Sequence, residues 1–146
     1  IHTAYLCERI ASKLHMNAAA AKAGGYYHKI GVLQNDNSYE AVEGILAEYH
    51  MPGQALQILK EYLQPDIPIC SRETVVLLFA DTMISSISYL FEKNKEAVLD
   101  YDKLVEAVFQ KKLSSGILNQ SEISIGDLEQ MKKILAGEQL YYDFLR

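Results

Sequence analysis

Asp81 interrupts the run from Val75 to Met83, which is otherwise apolar but for Thr82. A carboxylate carried into a helical core is costly unless a cation or hydrogen-bond donors meet it, so this residue must have a partner elsewhere in the chain. His28 follows Tyr26 and Tyr27 in an apolar helical stretch. It reads as a core imidazole bonded to backbone or tyrosine, and equally as a metal ligand. His15 and His50 fall near expected helix ends, where the dipole favours a protonatable group, and take no chemistry. Cys7 and Cys70 lie far apart and lack CxxC spacing. They offer neither a disulfide framework nor a zinc site, and a reducing, cytosolic setting fits them. The pairs Tyr26-Tyr27 and Tyr141-Tyr142 could stack on a base, but on amphipathic helices such pairs more often pack half-buried with their hydroxyls in water. The charges of Glu92 to Glu96 and Gln110 to Lys112 read as solvated faces.

These residues must be positioned by 146 residues that are 49% apolar, enough for one sizeable core and one domain over residues 1–146. The net charge of -5 and pI near 5.3, with lysine and arginine dispersed, leave no basic face for nucleic acid or an anionic membrane. No uninterrupted apolar run approaches the roughly 18 residues that span a bilayer, and no signal peptide is visible. The expectation is a soluble domain. It opens at Ile1 already in helical pattern, which reads as a domain excised from a longer protein.

Apolar residues recur at helical spacing almost throughout, and strand-like alternation is scarce, so the chain reads as all-α. A first helix covers about residues 2 to 15. Asn17 caps a second running to Ile30, with Gly24-Gly25 allowing a close backbone approach. Ser38 or Asn37 caps a third to about His50, and Met51-Pro52-Gly53 breaks it. A fourth spans Gln54 to about Leu63, ahead of the extended Gln64 to Pro68. Ser71 caps the longest, Arg72 to Lys93, which is apolar nearly all round from Val75 to Ala80 and forms the spine of the core. Asp100 or Tyr101 begins the next, stopped by Gly116; Ser124 and Asp127 carry capping-box spacing for the last long helix, closed by Gly137.

Three segments then carry a resemblance. His2-Thr3, Asn17 and Tyr27-His28-Lys29-Ile30-Gly31 form the first; ETVVLLFADTMISS, Glu73 to Ser86, is the second; VEAVFQKKLSSGILNQSEISIGDL, Val105 to Leu128, is the third. Together they resemble the HD (HDIG-type) metal-dependent phosphohydrolase superfamily, most closely the cytosolic domain of seven-transmembrane HD proteins that include cyclic-di-AMP phosphodiesterases. The resemblance implies an all-α, HD-domain-like compact helical bundle of about seven helices.

In that family histidines and aspartates converge on metal ions that polarise phosphate and generate hydroxide. By position the resemblance carries His2, His28 and Asp81 over as metal ligands. Lys29 stands where the bridging carboxylate belongs, a change of two charge units beside the ion. The family's later histidine pair falls near Glu61-Tyr62, and the lysine expected after Gly31 is Val32. The resemblance therefore implies a catalytically degenerate domain with a vestigial metal site. Its role would be that of a regulatory, sensory or assembly module, with Lys29 and Asp81 paired where the ion would sit and no cofactor expected. The implied partners are a nucleotide or cyclic-dinucleotide ligand, bound without hydrolysis, and a protein partner or second copy. The implied location is cytoplasmic, with or without a tether to a membrane. Two alternatives stand beside it. One is a divergent phosphohydrolase with a single Mn, Fe or Mg ion on His2, His28 and Asp81; the other is an unrelated helical interaction domain.

Overall fold

The computed structural model describes residues 1–146, which form eight α-helices, two short 3-10 turns and no strand. The helices are α1 (His2–Lys13), α2 (Ala18–Tyr27), α3 (Tyr39–Leu46), α4 (Gly53–Leu63), α5 (Arg72–Lys93), α6 (Tyr101–Ser114), α7 (Ile125–Gly137) and α8 (Gln139–Tyr142). The sequence reading ran α2 to Ile30 and α3 to His50, and both stop earlier. Residues Ile30–Gln34 tighten into a 3-10 turn that ends on Asn35 in the left-handed region, and α3 closes at Leu46.

The spine is α5. Val75, Val76, Leu77, Phe79 and Ala80 have no exposed surface, so this helix has core on every side over its first half. It is long and apolar enough to cross a membrane, yet it is the central buried helix of this bundle. On one side the α1–α2 hairpin packs against it, with α4 filling behind α2; on the other lie α6 and α7. The Phe79 and Phe109 rings stack at 3.9 Å and 8°, joining α5 to α6. Arg146 closes the far end over the Phe91 ring and donates to the Lys95 and Ala97 carbonyls.

Two glycines set the tightest spacing. A Cβ on Gly25 would lie 2.6 Å from the Ala4 Cα, and one on Gly24 would lie 2.9 Å from Ile58 Cγ2. The absence of a side chain at Gly25 lets the α1–α2 hairpin close backbone to backbone, and its absence at Gly24 lets α2 seat against the Ile58 side chain of α4.

The caps tie the first of the three recognised segments to the second, and the third to Arg72 just before the second. The Asn17 side chain accepts from Ala20 N at the start of α2, while its backbone N–H donates to the Glu73 carboxylate at 3.0 Å. Ser124 and Asp127 form the expected capping box, and Asp127 also pairs with Arg72 at 3.2 Å. The cap of α5 differs from the sequence reading. Ser71 sits at the N-cap, but its hydroxyl donates to Glu61, whose carboxylate takes the Cys70 and Ser71 amides and the Gln57 side chain as well. Burial pushes the Glu61 carboxyl up, and those hydrogen bonds outweigh it and hold the group below the usual carboxylate range.

Candidate functional site

The site is built where the end of α2 meets the middle of α5. His28 ends α2, is 6% exposed, and has its Nδ1 2.8 Å from the Gly25 carbonyl. A carbonyl only accepts, so Nδ1 carries a proton and Nε2 is the atom turned toward α5. There it lies 3.3 Å from Asp81 Oδ1 without making a hydrogen bond. Lys29, the next residue, extends from a largely exposed position to bring Nζ 3.8 Å from the same oxygen. The other oxygen, Asp81 Oδ2, accepts from the Tyr62 hydroxyl of α4 at 2.5 Å. Ser85, one turn along α5, reaches Oδ1 at 3.5 Å.

Burial by itself would raise the Asp81 carboxyl, but the His28 imidazole and Tyr62 hydroxyl beside it, and then the His28 and Lys29 charges, hold it at about 2. The same geometry pushes its neighbours the other way. Burial, then the Asp81 charge, raise both the Tyr62 hydroxyl and the Cys7 thiol, so each keeps its proton. Asp81 is thus the anion of the cluster, with the Lys29 ammonium and the Tyr62 and Ser85 hydroxyls as the donors around it.

The depressed carboxyl has a sign that acid titration reads. A carboxylate whose folded value lies below its unfolded one contributes fully above about pH 4, and the contribution is lost as pH falls from about 4 to about 2. Over that window the natural protein is expected to lose about 1–2 kcal/mol more stability than Asp81→Asn, a figure discounted for the open edge at Lys29. Denaturant unfolding of the two proteins at pH 5, 3.5 and 2.5 measures the difference; parallel losses would mean that Asp81 carries no linked proton.

The structure brings together His28, Lys29 and Asp81 and does not bring His2 to them. His2 Nδ1 lies 2.8 Å from the Tyr141 hydroxyl, and Tyr141 stacks on Tyr5 at 4.0 Å and 15°. The reason is the phase of α1. Cys7 is the α1 residue close enough to Asp81 to feel its charge, and the residue one turn before it on that face is Thr3. Position 2 is rotated by about 100° from position 3 and faces the C-terminal tail. No three of the histidine, cysteine, aspartate and glutamate side chains gather closely enough to hold a metal ion. Of the pair Glu61-Tyr62, Tyr62 faces Asp81, while Glu61 is spent on the start of α5.

These helices, in this order and with this cluster at the junction of α2 and α5, have the fold of an HD domain. The chain superimposes on the HD domain of the L. monocytogenes phosphodiesterase PgpH solved in complex with cyclic-di-AMP, with a TM-score of 0.73 at 15% identity over 96% of this chain and 88% of that one. A second structure of the L. monocytogenes PgpH HD domain gives 0.71 at 16% identity, over 96% and 89%. No family model and no curated protein matches the sequence.

A metal of the kind such a fold implies finds one suitable feature here. His28 presents a buried Nε2 with no in-line partner while its Nδ1–H rests on a backbone carbonyl, the arrangement that orients a ligating imidazole. The remaining positions do not fit. An ammonium has no lone pair to give, Tyr62 keeps its proton, and Asp81 is shared among three side chains that an ion would have to displace.

Proposed function

We propose that this chain is an HD-type domain that does not hydrolyse phosphodiesters and serves as a regulatory, sensory or assembly module. The observation that carries the reading is the Asp81 cluster, in which the Lys29 ammonium and the Tyr62 hydroxyl take up the carboxylate that a divalent ion would need. Generating hydroxide at neutral pH requires an ion or a comparably strong activator, and this set of donors supplies neither. Binding is a separate matter. Lys29 is 62% exposed and offers a charge to a phosphate without a nucleophile beside it. Because the L. monocytogenes neighbour was solved with cyclic-di-AMP, a nucleotide or cyclic dinucleotide is the ligand class we carry to this chain, bound intact, in a cytosolic setting.

Calorimetric titration of chelator-treated protein with MnCl2, alongside incubation with cyclic-di-AMP and Mn²⁺, tests the reading. The expected result is no saturable heat of metal binding and an uncleaved cyclic dinucleotide. Stoichiometric Mn²⁺ binding with appearance of the linear dinucleotide would overturn it.

A further inference from the structure

Tyr62 has a second surface. Its hydroxyl holds Asp81, but its side chain also lines a half-enclosed cleft of about 350 Å³ between the α4–α5 connection and the turn that follows α6. That volume lies within the range of small-molecule sites. We propose that this cleft binds a small, uncharged, planar ligand bearing an amide-like donor and acceptor edge, and that Tyr62 reports its occupancy to Asp81.

Three side-chain amides converge on the cleft, Gln64 from one wall and Asn119 and Gln120 from the other, and none makes a hydrogen bond within the protein. An amide both donates and accepts, so it pairs with an edge of its own kind. Charged ligands gain nothing from the lining. No lysine or arginine contributes to it, and its one carboxylate, Glu61, already accepts four hydrogen bonds at the start of α5. Between the amides lie the side chains of Ile67, Ile69 and Ile117 and a stiff stretch of backbone. Pro65 and Pro68 fix the backbone of one side, so little ordering cost attaches to binding there. Gly116 shapes the other. It adopts φ +79°, and a Cβ there would come within 3.1 Å of Asn119 Nδ2, so the glycine leaves that amide free to turn into the cleft.

The link to Asp81 is a single side chain. A ligand resting against Tyr62 displaces or fixes the ring whose hydroxyl is 2.5 Å from Asp81 Oδ2, while the His28 ring meets Tyr62 edge-on at 5.9 Å between centroids. The cleft thus gives the sensory reading a place for an effector, but it does not depend on whether the protein binds metal, and Mn²⁺ titration tests that question separately.

The test is a titration of ¹⁵N-labelled protein with nicotinamide, a neutral ring with an amide edge, and with nicotinate, its charged isostere, followed by NMR. Nicotinamide is expected to shift the side-chain amide signals of Gln64, Asn119 and Gln120 and the ring signals of His28, whereas nicotinate leaves them in place. Asn119→Ala with Gln120→Ala, both at exposed positions, is expected to weaken nicotinamide at least about tenfold. Tyr62→Leu, which removes both the hydroxyl and the ring that meets His28, is expected to retain the amide shifts and lose those of His28. Absence of nicotinamide shifts at the three amides, or equal shifts with nicotinate, would overturn the site; His28 shifts that persist in Tyr62→Leu would overturn the link.

Discussion

Replacing Lys29 with aspartate is expected to give the protein a divalent-metal affinity at least about a hundredfold above that of the natural chain. The substitution removes an ammonium 3.8 Å from Asp81 Oδ1 and puts a carboxylate directly after His28, whose buried Nε2 lacks an in-line partner. Unit charges about 4 Å apart near a protein surface interact by roughly 4 kcal/mol. A swing of two charge units beside a doubly charged ion therefore exceeds the hundredfold threshold even after heavy screening by the solvent around an exposed side chain. Calorimetric titration with MnCl2 measures it, with Lys29→Met as the control that removes the cation without supplying a ligand. Binding by Lys29→Asp alone would show that the carboxylate matters. If neither variant binds, the block lies with Tyr62, which must release Asp81 before any ion can use it.

Gly25→Val should be among the most destabilising single substitutions in the molecule, costing about 3–5 kcal/mol and lowering Tm by roughly 10–16 °C. The new Cβ would sit 2.6 Å from the Ala4 Cα and 2.9 Å from its nitrogen, backbone atoms that cannot turn aside. Gly25→Ala makes the sharper comparison. Helix propensity by itself predicts that alanine stabilises a helix interior by about 1 kcal/mol, whereas the α1–α2 contact predicts a loss. Thermal unfolding of both variants decides which effect prevails; a stabilised Gly25→Ala would mean that the hairpin is looser than this packing.

The helices were legible in the sequence because their signals are local. Asn17, Ser38, Asp100 and Ser124 each cap the helix that their position marked, and the apolar run of α5 announced a buried spine. The ends of α2 and α3 were less legible, since the 3-10 turn at Ile30–Gln34 is held by Asn37, which accepts from the Gly31 amide and donates to the His28 carbonyl across a loop. Periodicity does not register such bonds. At the site, Asp81 was marked by its place on an apolar face and Lys29 by the motif it interrupts. Tyr62 could be placed only as standing where a histidine was expected, and Cys7 carried no mark at all. Both reach Asp81 from other helices, and only the packing of α1 and α4 brings them there. His2 shows the converse: its match was one of sequence order, and a rotation of one position on α1 sends it to Tyr141 instead.

Val42 and Leu46 of α3 join only Leu59 of α4 in a small cluster of their own, apart from the main core, with Tyr27 and Ile30 packed around it. So few buried groups make α3 inexpensive to detach, and amide exchange there should proceed through a partial opening while α5 exchanges only on global unfolding. Such an opening removes the cover from Tyr27 and Ile30, the residues flanking His28 and Lys29. The domain therefore contains a low-energy excursion in which the surroundings of its polar cluster loosen while its spine stays folded.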